Sequence, residues 1–243
     1  VPIPPNIIVN ADDIGLCSSV NQAILYSFQK GFINSTSLLT NMAGFDEAVT
    51  IIHNNPDVIN VGVHVNFAEG RPLTNSFEKK FLTPDGSWNL TNINKVFMIL
   101  NSRGRKAFKK ELETQIEKAL AAKVSVTHLD SHLHLHTLPA FYNLFINAAK
   151  KYKLKLRLAQ TYNEGSYLKY TYRKYINSQI ISAGKNYTDF FETVDKFLDT
   201  GDRVTDKRIE IMVHPDFKAD GKFYDHVDQT SMDKWISFLA KQA

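Results

Sequence analysis

Cysteine is almost absent: Cys17 stands alone in 243 residues. That excludes an internal disulfide framework and any zinc module built on thiolates. No apolar run is long enough to cross a bilayer, so no membrane span is expected. An excess of one charge is missing too. The 29 basic and 25 acidic residues leave a net charge of +4 with no basic stripe, and nucleic acid is not an expected partner. Internal repeats, linker-like stretches and a Gly-rich loop to cradle phosphate are all lacking. An initiator Met is lacking as well, with Val1 in its place. The expectation is that a signal peptide, a propeptide or other residues preceded Val1. A cytoplasmic location is the default, and a secreted or periplasmic one follows if a signal peptide was removed. Asn34, Asn89 and Asn186 match the glycosylation pattern, which matters only in a secreted eukaryotic chain.

What is present is a large potential core, with 43% hydrophobic and 12% aromatic residues. At this length a single domain over residues 1–243 is expected. The sequence is compatible with a homodimer but does not fix the oligomeric state. Apolar "IIV" (7–9), "STSLLTN" (35–41), "INVGVHVNF" (59–67), "LKLRLA" (154–159) and "RIEIMVHP" (208–215) read as strands. Between them run helical stripes: Val20, Ala23, Ile24 and Phe28; Phe45, Ala48, Val49 and Ile52; and Phe108, Leu112, Ile116 and Ala119. Further stripes are Phe141, Leu144, Phe145 and Ala148, led by Pro139; Phe190, Phe191, Val194, Phe197 and Leu198; and Met232, Trp235, Ile236 and Leu239. From Ala68 to Asn92 the pattern dissolves into Gly, Pro, Asn and Ser, and a loop insertion is expected around residues 68–106. A tyrosine- and lysine-rich stretch (162–187) has no clear reading. The alternation predicts an α/β fold with a mostly parallel sheet, as in a βα barrel.

Histidine is concentrated in one place. "THLDSHLHLH" (127–136) holds four of the eight histidines. If the segment is extended, His128, Asp130, His132, His134 and His136 share one face. Thr127, Leu129, Ser131, Leu133 and Leu135 then share the other. A disordered histidine tract has no reason to alternate with leucine, so this segment belongs to a fold.

In parallel βα architectures the reactive groups collect where strands end. Asp12 and Asp13 follow the first strand, and His64 and Asn66 end the third. Asp130, His132 and His134 end the histidine strand, Arg157 lies in "KLRLA", and His214 follows "IEIMV". Each has an ordinary reading beside the chemical one. Adjacent aspartates after a strand often cap a helix, and a lone His64 is more often a satisfied interior histidine. Asp130 suits orienting a ligand imidazole through its free N–H, or capping a turn. His134 and His136 are candidates for the substrate side of the cleft, or merely line it or pack beneath a loop. Asn66 is a further candidate for supporting a ligand or touching substrate, and His128 lies deeper as a structural or ligand-supporting group. Arg157 is either a surface strand residue or a cation holding Asp12 ionised. His53 and His226 lie in polar, loop-like surroundings and carry no assigned role.

"VNADDIGLCSSVNQAI", "GFINSTSLLTN", "VGVHVNFAEGRPL", "THLDSHLHLHTLPAF" and "EIMVHP" together resemble the YdjC/ChbG family of carbohydrate deacetylases, in the same order and from about Asn6 to His214. The resemblance implies an irregular TIM-like βα barrel that removes N-acetyl groups from chito-oligosaccharide-type sugars. It implies a divalent cofactor, magnesium by family custom. Matched motif by motif, it makes Asp13, His64 and His132 the metal ligands, Asp12 the general base and His214 the acid that protonates the leaving amine. The departures are Ile14 for the usual Phe, Cys17 for a common Ser, and Asp216 where Gly is common after "HP". Asp216 would place a negative charge near His214.

The residue chemistry leads to a similar place but a different metal. Two imidazoles and one carboxylate suit zinc, iron or cobalt better than magnesium, which prefers oxygen shells. Two other readings remain at this level: a metal hydrolase of another amide or a phosphate ester on the same barrel, and a catalytically silent sugar-binding barrel. Trp88, Tyr162, Tyr167, Tyr170 and Tyr172 read as core or rim residues, and exposed aromatics in such loops would also suit stacking on sugar faces.

Overall fold

The computed structural model describes residues 3–90, 98–200 and 206–242. Residues 91–97 of the expected insertion, and Val1, lie outside them. Strand and helix alternate from β1 (Ile7–Ile14), α1 (Ser18–Gln29), β2 (Ser35–Leu38), α2 (Phe45–Asn54) and β3 (Val61–Val65) to α3 (Ser102–Ala121) and β4 (Val126–Ser131). There follow α4 (Tyr142–Lys151), β5 (Lys155–Leu156), α5 (Tyr167–Ser182), β6 (Phe190–Thr193), α6 (Val194–Asp199) and β7 (Ile209–Val213). A short hairpin of β8 (Pro215–Phe217) and β9 (Phe223–Asp225) precedes α7 (Ser231–Lys241). Among the described residues no helix is long and apolar enough to cross a membrane.

β1 to β7 form one parallel sheet in the order β5-β4-β3-β2-β1-β7-β6. That is the order of a barrel cut between β5 and β6. The sheet is a curled, open half-barrel: the α/β plan and the parallel sheet are as expected, and among the described residues the irregular TIM-like barrel is not closed. Across the cut the described residues make one isolated bridge, Leu156 to Asn186. β5 is only two residues long, so it offers too short a ladder to extend the sheet.

Alternation along the strands sorts the interior. Val9 and Ala11, Val61 and Val63, and Ile209 and Ile211 are fully or nearly fully buried and belong to the apolar core. The intervening Asn10 and Asp12, Ser35 and Ser37, His64, His128 and Asp130, and Glu210 are buried as well, yet polar. Strand geometry puts each such set on one face, so the inner face of the half-barrel is a buried polar layer. Several of its members bind one another. Asn10 donates to Asp12 (2.8 Å) and Ser37 (3.0 Å), and accepts from Ser35 (2.6 Å).

Several expectations need correcting. The histidine strand stops at Ser131. His132–Thr137 forms a tight 3-10 segment in which Leu133 and His134 both have φ of 53°, which breaks the alternation and leaves Leu133 exposed. Phe190 to Thr193 is strand, and only Val194 onward is helix. Two adjacent phenylalanines fit a strand packed on both faces as well as a helical stripe. The first helical residue after Pro139 is Tyr142, because Leu138 to Phe141 first make a turn. α3 begins at Ser102, inside the expected insertion, where the Asn101 side chain accepts from the Gly104 N–H. The unread 162–187 stretch contains α5, capped by Ser166. Of the aromatics read as core or rim, Trp88 is core, buried against Phe67, Phe77 and Phe108. Asn34 uses its side chain to bind the β1 backbone at Ile7 and Val9.

Gly62 shows how tightly the polar layer is packed. A Cβ there would lie 2.4 Å from His128 Nε2 and 2.5 Å from its Cδ2. The His128 ring cannot retreat, since it stacks on Tyr187 at 4.2 Å and is fully buried. Burial pushes its pKa down to about 4 despite nearby Asp130, so it is a neutral, structural imidazole. We expect Gly62→Ala to destabilise the fold by about 1–3 kcal/mol through overpacking. The Gly62→Ala/His128→Ala double variant should cost less than the two single costs added. Urea denaturation of all four proteins measures this, and simple additivity would refute the contact.

Candidate active site

A regular strand sends neighbouring side chains to opposite faces, so Asp12 and Asp13 should diverge. In β1 they converge. The β1–β2 register shifts between Ala11 and Ile14, and Asp13 takes φ of 75°, a left-handed conformation unusual for a non-glycine residue. Both carboxylates then reach the same imidazole atom. His64 Nε2 is 3.2 Å from Asp13 Oδ1 and 3.9 Å from Asp12 Oδ2.

β3 and β4 place His64 beside Asp130 as register partners, with His64 Nδ1 2.7 Å from Asp130 Oδ1. An Nδ1–H donated to Asp130 would leave Nε2, on the Asp13 side of the ring, as the atom available to a cation. The left-handed step at Leu133 and His134 follows His132, whose Nδ1 lies 3.0 Å from Asp13 Oδ1 and whose Nε2 faces Glu69 Oε1 at 3.4 Å. Asp13, His64 and His132 thus offer one carboxylate oxygen and two ring nitrogens within 4.8 Å of one another. This donor set is consistent with a divalent metal. Electrostatics point the same way. Burial opposes a charge on His132, yet the contacts with Asp13 and Glu69 outweigh it and push its pKa up to about 10. Carboxylates that hold a proton so firmly would equally attract a cation.

Asp12, His64 and Asp130 form a second cluster of ligand-type groups, but it already contains a cation. Arg157 is fully buried just beyond β5. Its Nη1 and Nη2 donate to Asp12 Oδ2 (2.7 Å) and Oδ1 (2.6 Å), and its Nε donates to Glu210 (2.7 Å). Nη2 also lies 2.9 Å from Asp130 Oδ2, an ion pair without hydrogen-bond alignment. The Phe191 ring lies 4.8 Å from the guanidinium carbon. Burial alone would raise the Asp12 pKa, but Arg157, with His64 and His214, overrides it and holds Asp12 far below the usual carboxylate range. Arg157 is therefore not a surface strand residue.

His214 follows β7. Its backbone N–H donates to Asp225 Oδ2 (2.7 Å), its Nδ1 lies 3.7 Å from Asp225 Oδ1, and its Nε2 lies 3.9 Å from Asp12 Oδ2. Burial works against protonation, but Asp225 and Asp12 prevail, and the pKa is raised. The charge expected from Asp216 comes instead from Asp225. Asp216 is turned to the Phe217 N–H and the Tyr224 hydroxyl, whereas the β8–β9 hairpin carries Asp225 back under His214.

The structure gathers Asp12, Asp13, His64, Asp130, His132, Arg157 and His214. Asn66 is not directed at that cluster: its side chain binds Asn41 and the Ala68 and Glu69 backbone. His134 packs 5.6 Å from the Phe191 ring. Four residues without an assigned role in the sequence reading stand close by. His226 Nε2 is 3.4 Å from Asp13 Oδ2, Glu69 faces His132, Asp225 holds His214, and Glu210 holds Arg157. Glu210 alone had a signal, a charge between two isoleucines in a buried strand. His226 and Asp225 lie on a three-residue hairpin strand and its turn, too short for any periodicity.

Residues 6–237 match the YdjC-like protein family. The chain belongs to this family. Among its relatives is a carbohydrate deacetylase of Halalkalibacterium halodurans, 31% identical over 86% of this chain and 84% of that protein. Another is a carbohydrate deacetylase of Geobacillus stearothermophilus, 29% identical over 88% of this chain and 80% of that protein. The fold is shared with a candidate cellobiose-phosphate cleavage protein from Enterococcus faecalis, at a TM-score of 0.73 and 20% identity, covering 97% of this chain and 92% of that one. A lactam utilization protein from Thermus thermophilus follows at a TM-score of 0.51 and 13% identity, covering 86% and 90%.

For this YdjC-like chain, His132→Ala should abolish stoichiometric binding of added zinc or cobalt while leaving the circular dichroism unchanged. Isothermal titration calorimetry measures it. Wild-type affinity in the variant would remove His132 from the ligand set.

Proposed function

We propose that the chain is a metal-dependent carbohydrate deacetylase that hydrolyses the N-acetyl group of amino sugars, chito-oligosaccharides foremost. The observation that carries this reading is one arrangement: an Asp13–His64–His132 donor triangle flanked by Asp12, pinned by Arg157, and by His214, backed by Asp225. Kinship with named carbohydrate deacetylases supports the substrate class. The pairing of β1 with β7, which ties an early strand to a late one, supports reading the chain as one domain.

Amide hydrolysis needs an activated water, stabilisation of the tetrahedral oxyanion and a proton for the departing amine. Asp13, His64 and His132 would hold the cation, with Asp130 orienting His64. When bound, a divalent cation lowers the pKa of water and polarises the acetyl carbonyl. Two nitrogens and one oxygen favour zinc, cobalt or iron over magnesium. Asp12 takes the proton from the attacking water. Arg157 keeps it anionic and aimed, at a cost in basicity. His214, protonated through Asp225, gives its proton to the amine as the C–N bond breaks.

Hydrolysis of a phosphate ester is the weaker reading. Two-metal phosphoryl transfer would want a second cation beside Asp12 and Asp130, where Arg157 stands. A silent sugar-binding barrel would have no use for a histidine whose protonated form is favoured by Asp225 beside the Asp12 carboxylate.

Acetate release from N-acetylglucosamine oligomers, with zinc, cobalt or magnesium added, tests the proposal. Asp12→Asn should keep the metal and lose kcat by about two to four orders of magnitude. Turnover within tenfold of wild type would leave Asp12 as a structural group.

The proton donor has its own signature. A His pKa raised by Asp225 keeps the acid form to higher pH, so activity should fall on the alkaline side as His214 deprotonates. Asp225→Asn removes the raising charge, and the alkaline limb of the kcat profile should shift to lower pH. His214→Ala should cost far less on an acetanilide with an activated leaving group than on the sugar amide. An unmoved limb together with equal losses on both substrates would assign His214 another task.

A further inference from the structure

Glu210 has no place in the chemistry above, yet it is fully buried and makes a direct contact with the catalytic layer. We propose that Glu210 is a positioning residue for deacetylation, acting through Arg157 to fix the direction of Asp12. This rests on the deacetylase reading of the site.

The geometry supplies the mechanism. A guanidinium presents its N–H donors in one rigid plane. Here the Nη edge is bound to both oxygens of Asp12, and the Nε side to Glu210 Oε1 at 2.7 Å. Phe191 covers a face of that plane. Two anchors on different edges fix a plane against rotation about the Cδ–Nε bond, whereas one would leave it a hinge. If Glu210 is removed, the buried Nε–H has no acceptor, a costly state. Arg157 then turns toward whatever acceptor is left and draws the Asp12 carboxylate with it. Glu210 is placed for this by β7, where it is the register partner of Ile8 in β1, the strand that carries Asp12.

The contact is not simply one charge pair among others. Arg157 faces Asp12, Asp130 and Glu210, three carboxylates to one cation. Burial, set against the pull of Arg157, pushes the Glu210 pKa up to about 7, and its Oε2 has no hydrogen-bond partner among the described residues. Toward mildly acidic pH the neutral form of Glu210 is therefore favoured, and in it Oε1 still accepts from the Arg157 Nε–H. Glutamine reproduces that form in shape and charge. Methionine keeps the volume and lacks the acceptor.

The test compares Glu210→Gln and Glu210→Met with wild type at pH 6, using the metal-loaded chain and an N-acetylglucosamine oligomer. The Met variant should lose kcat by about 10- to 100-fold, the scale of a small misplacement, with KM within about twofold. The Gln variant should stay within about threefold of wild type in kcat. Arginine-selective 15N NMR gives a readout independent of turnover. The Arg157 Nε–H should be protected from solvent exchange in wild type and Gln, and lose protection in Met. Equal kcat in all three proteins overturns the proposal, as does a loss carried by KM. If the Met variant is insoluble, the Gln variant decides: a tenfold or greater loss, or an unprotected Nε–H, overturns it. A protected Nε–H in a wild type that releases no acetate from any N-acetylated sugar overturns the deacetylase reading instead. Acetate release with an Nε–H indifferent to Met overturns the role of Glu210.

Discussion

One buried cation governs this site. Moving a charge out of water costs several kcal/mol even after relaxation, and a buried charge persists only with partners in good geometry. Arg157 has them on its Nη and Nε edges, and each partner leads into another function. Asp12 reaches toward His64 and His214, and Asp130 holds the imidazole that would bind metal. Removing Arg157 would leave Asp12 and Asp130 as adjacent buried carboxylates, and one of them would take up a proton. The proton state of the polar layer is therefore set at one side chain, just beyond a strand only two residues long.

The second constraint is backbone strain. Asp13, Leu133 and His134 all adopt positive φ, a conformation that costs about 1–3 kcal/mol at a non-glycine residue. The strain falls on the two segments that must depart from strand geometry. One brings adjacent aspartates to a common side, and the other turns His132 toward Asp13 after β4 ends. Regular strands would have placed these ligands on opposite faces. Packing around the bulge and the 3-10 turn offsets the cost, and the donor triangle is the result.

What could be read in advance follows from how far each signal depends on local pattern. The parallel α/β plan was legible because buried strands and amphipathic helices differ in period over whole segments. The convergence of Asp12, Asp13, His64, His132 and His214 on one place was legible because strand ends collect polar groups and because the motifs resemble a family. The length of the histidine strand was not legible. Its alternation of imidazole and leucine suits an extended chain, and only tertiary demand on His132 and Leu135 bends it. Asp225 and His226 were hidden for another reason. They reach His214 and Asp13 by way of a hairpin whose turn has no periodic signature, and proximity across such a fold is not encoded locally. Asp216, two residues from His214, looked the better partner only because it is near in sequence.

The same guanidinium also bears on which reaction the site suits. Asp12, His64 and Asp130 would make a respectable second metal site if Arg157 were absent. A second divalent ion there would bring two positive charges and an open coordination position, fit for clamping both oxygens of a phosphoryl transfer. Arginine brings one charge, no coordination position and a fixed plane. It can aim a carboxylate but cannot bind an attacking oxygen. With Asp12 aimed rather than ligated, proton transfer remains open to it, and under the proposed reading His214 on its other side would supply the complementary proton. So read, a site with one cation position, a carboxylate as base and a histidine as acid would match the needs of an amide, whose leaving nitrogen must be protonated. A phosphate ester, which needs charge neutralised on several oxygens at once, is less well served.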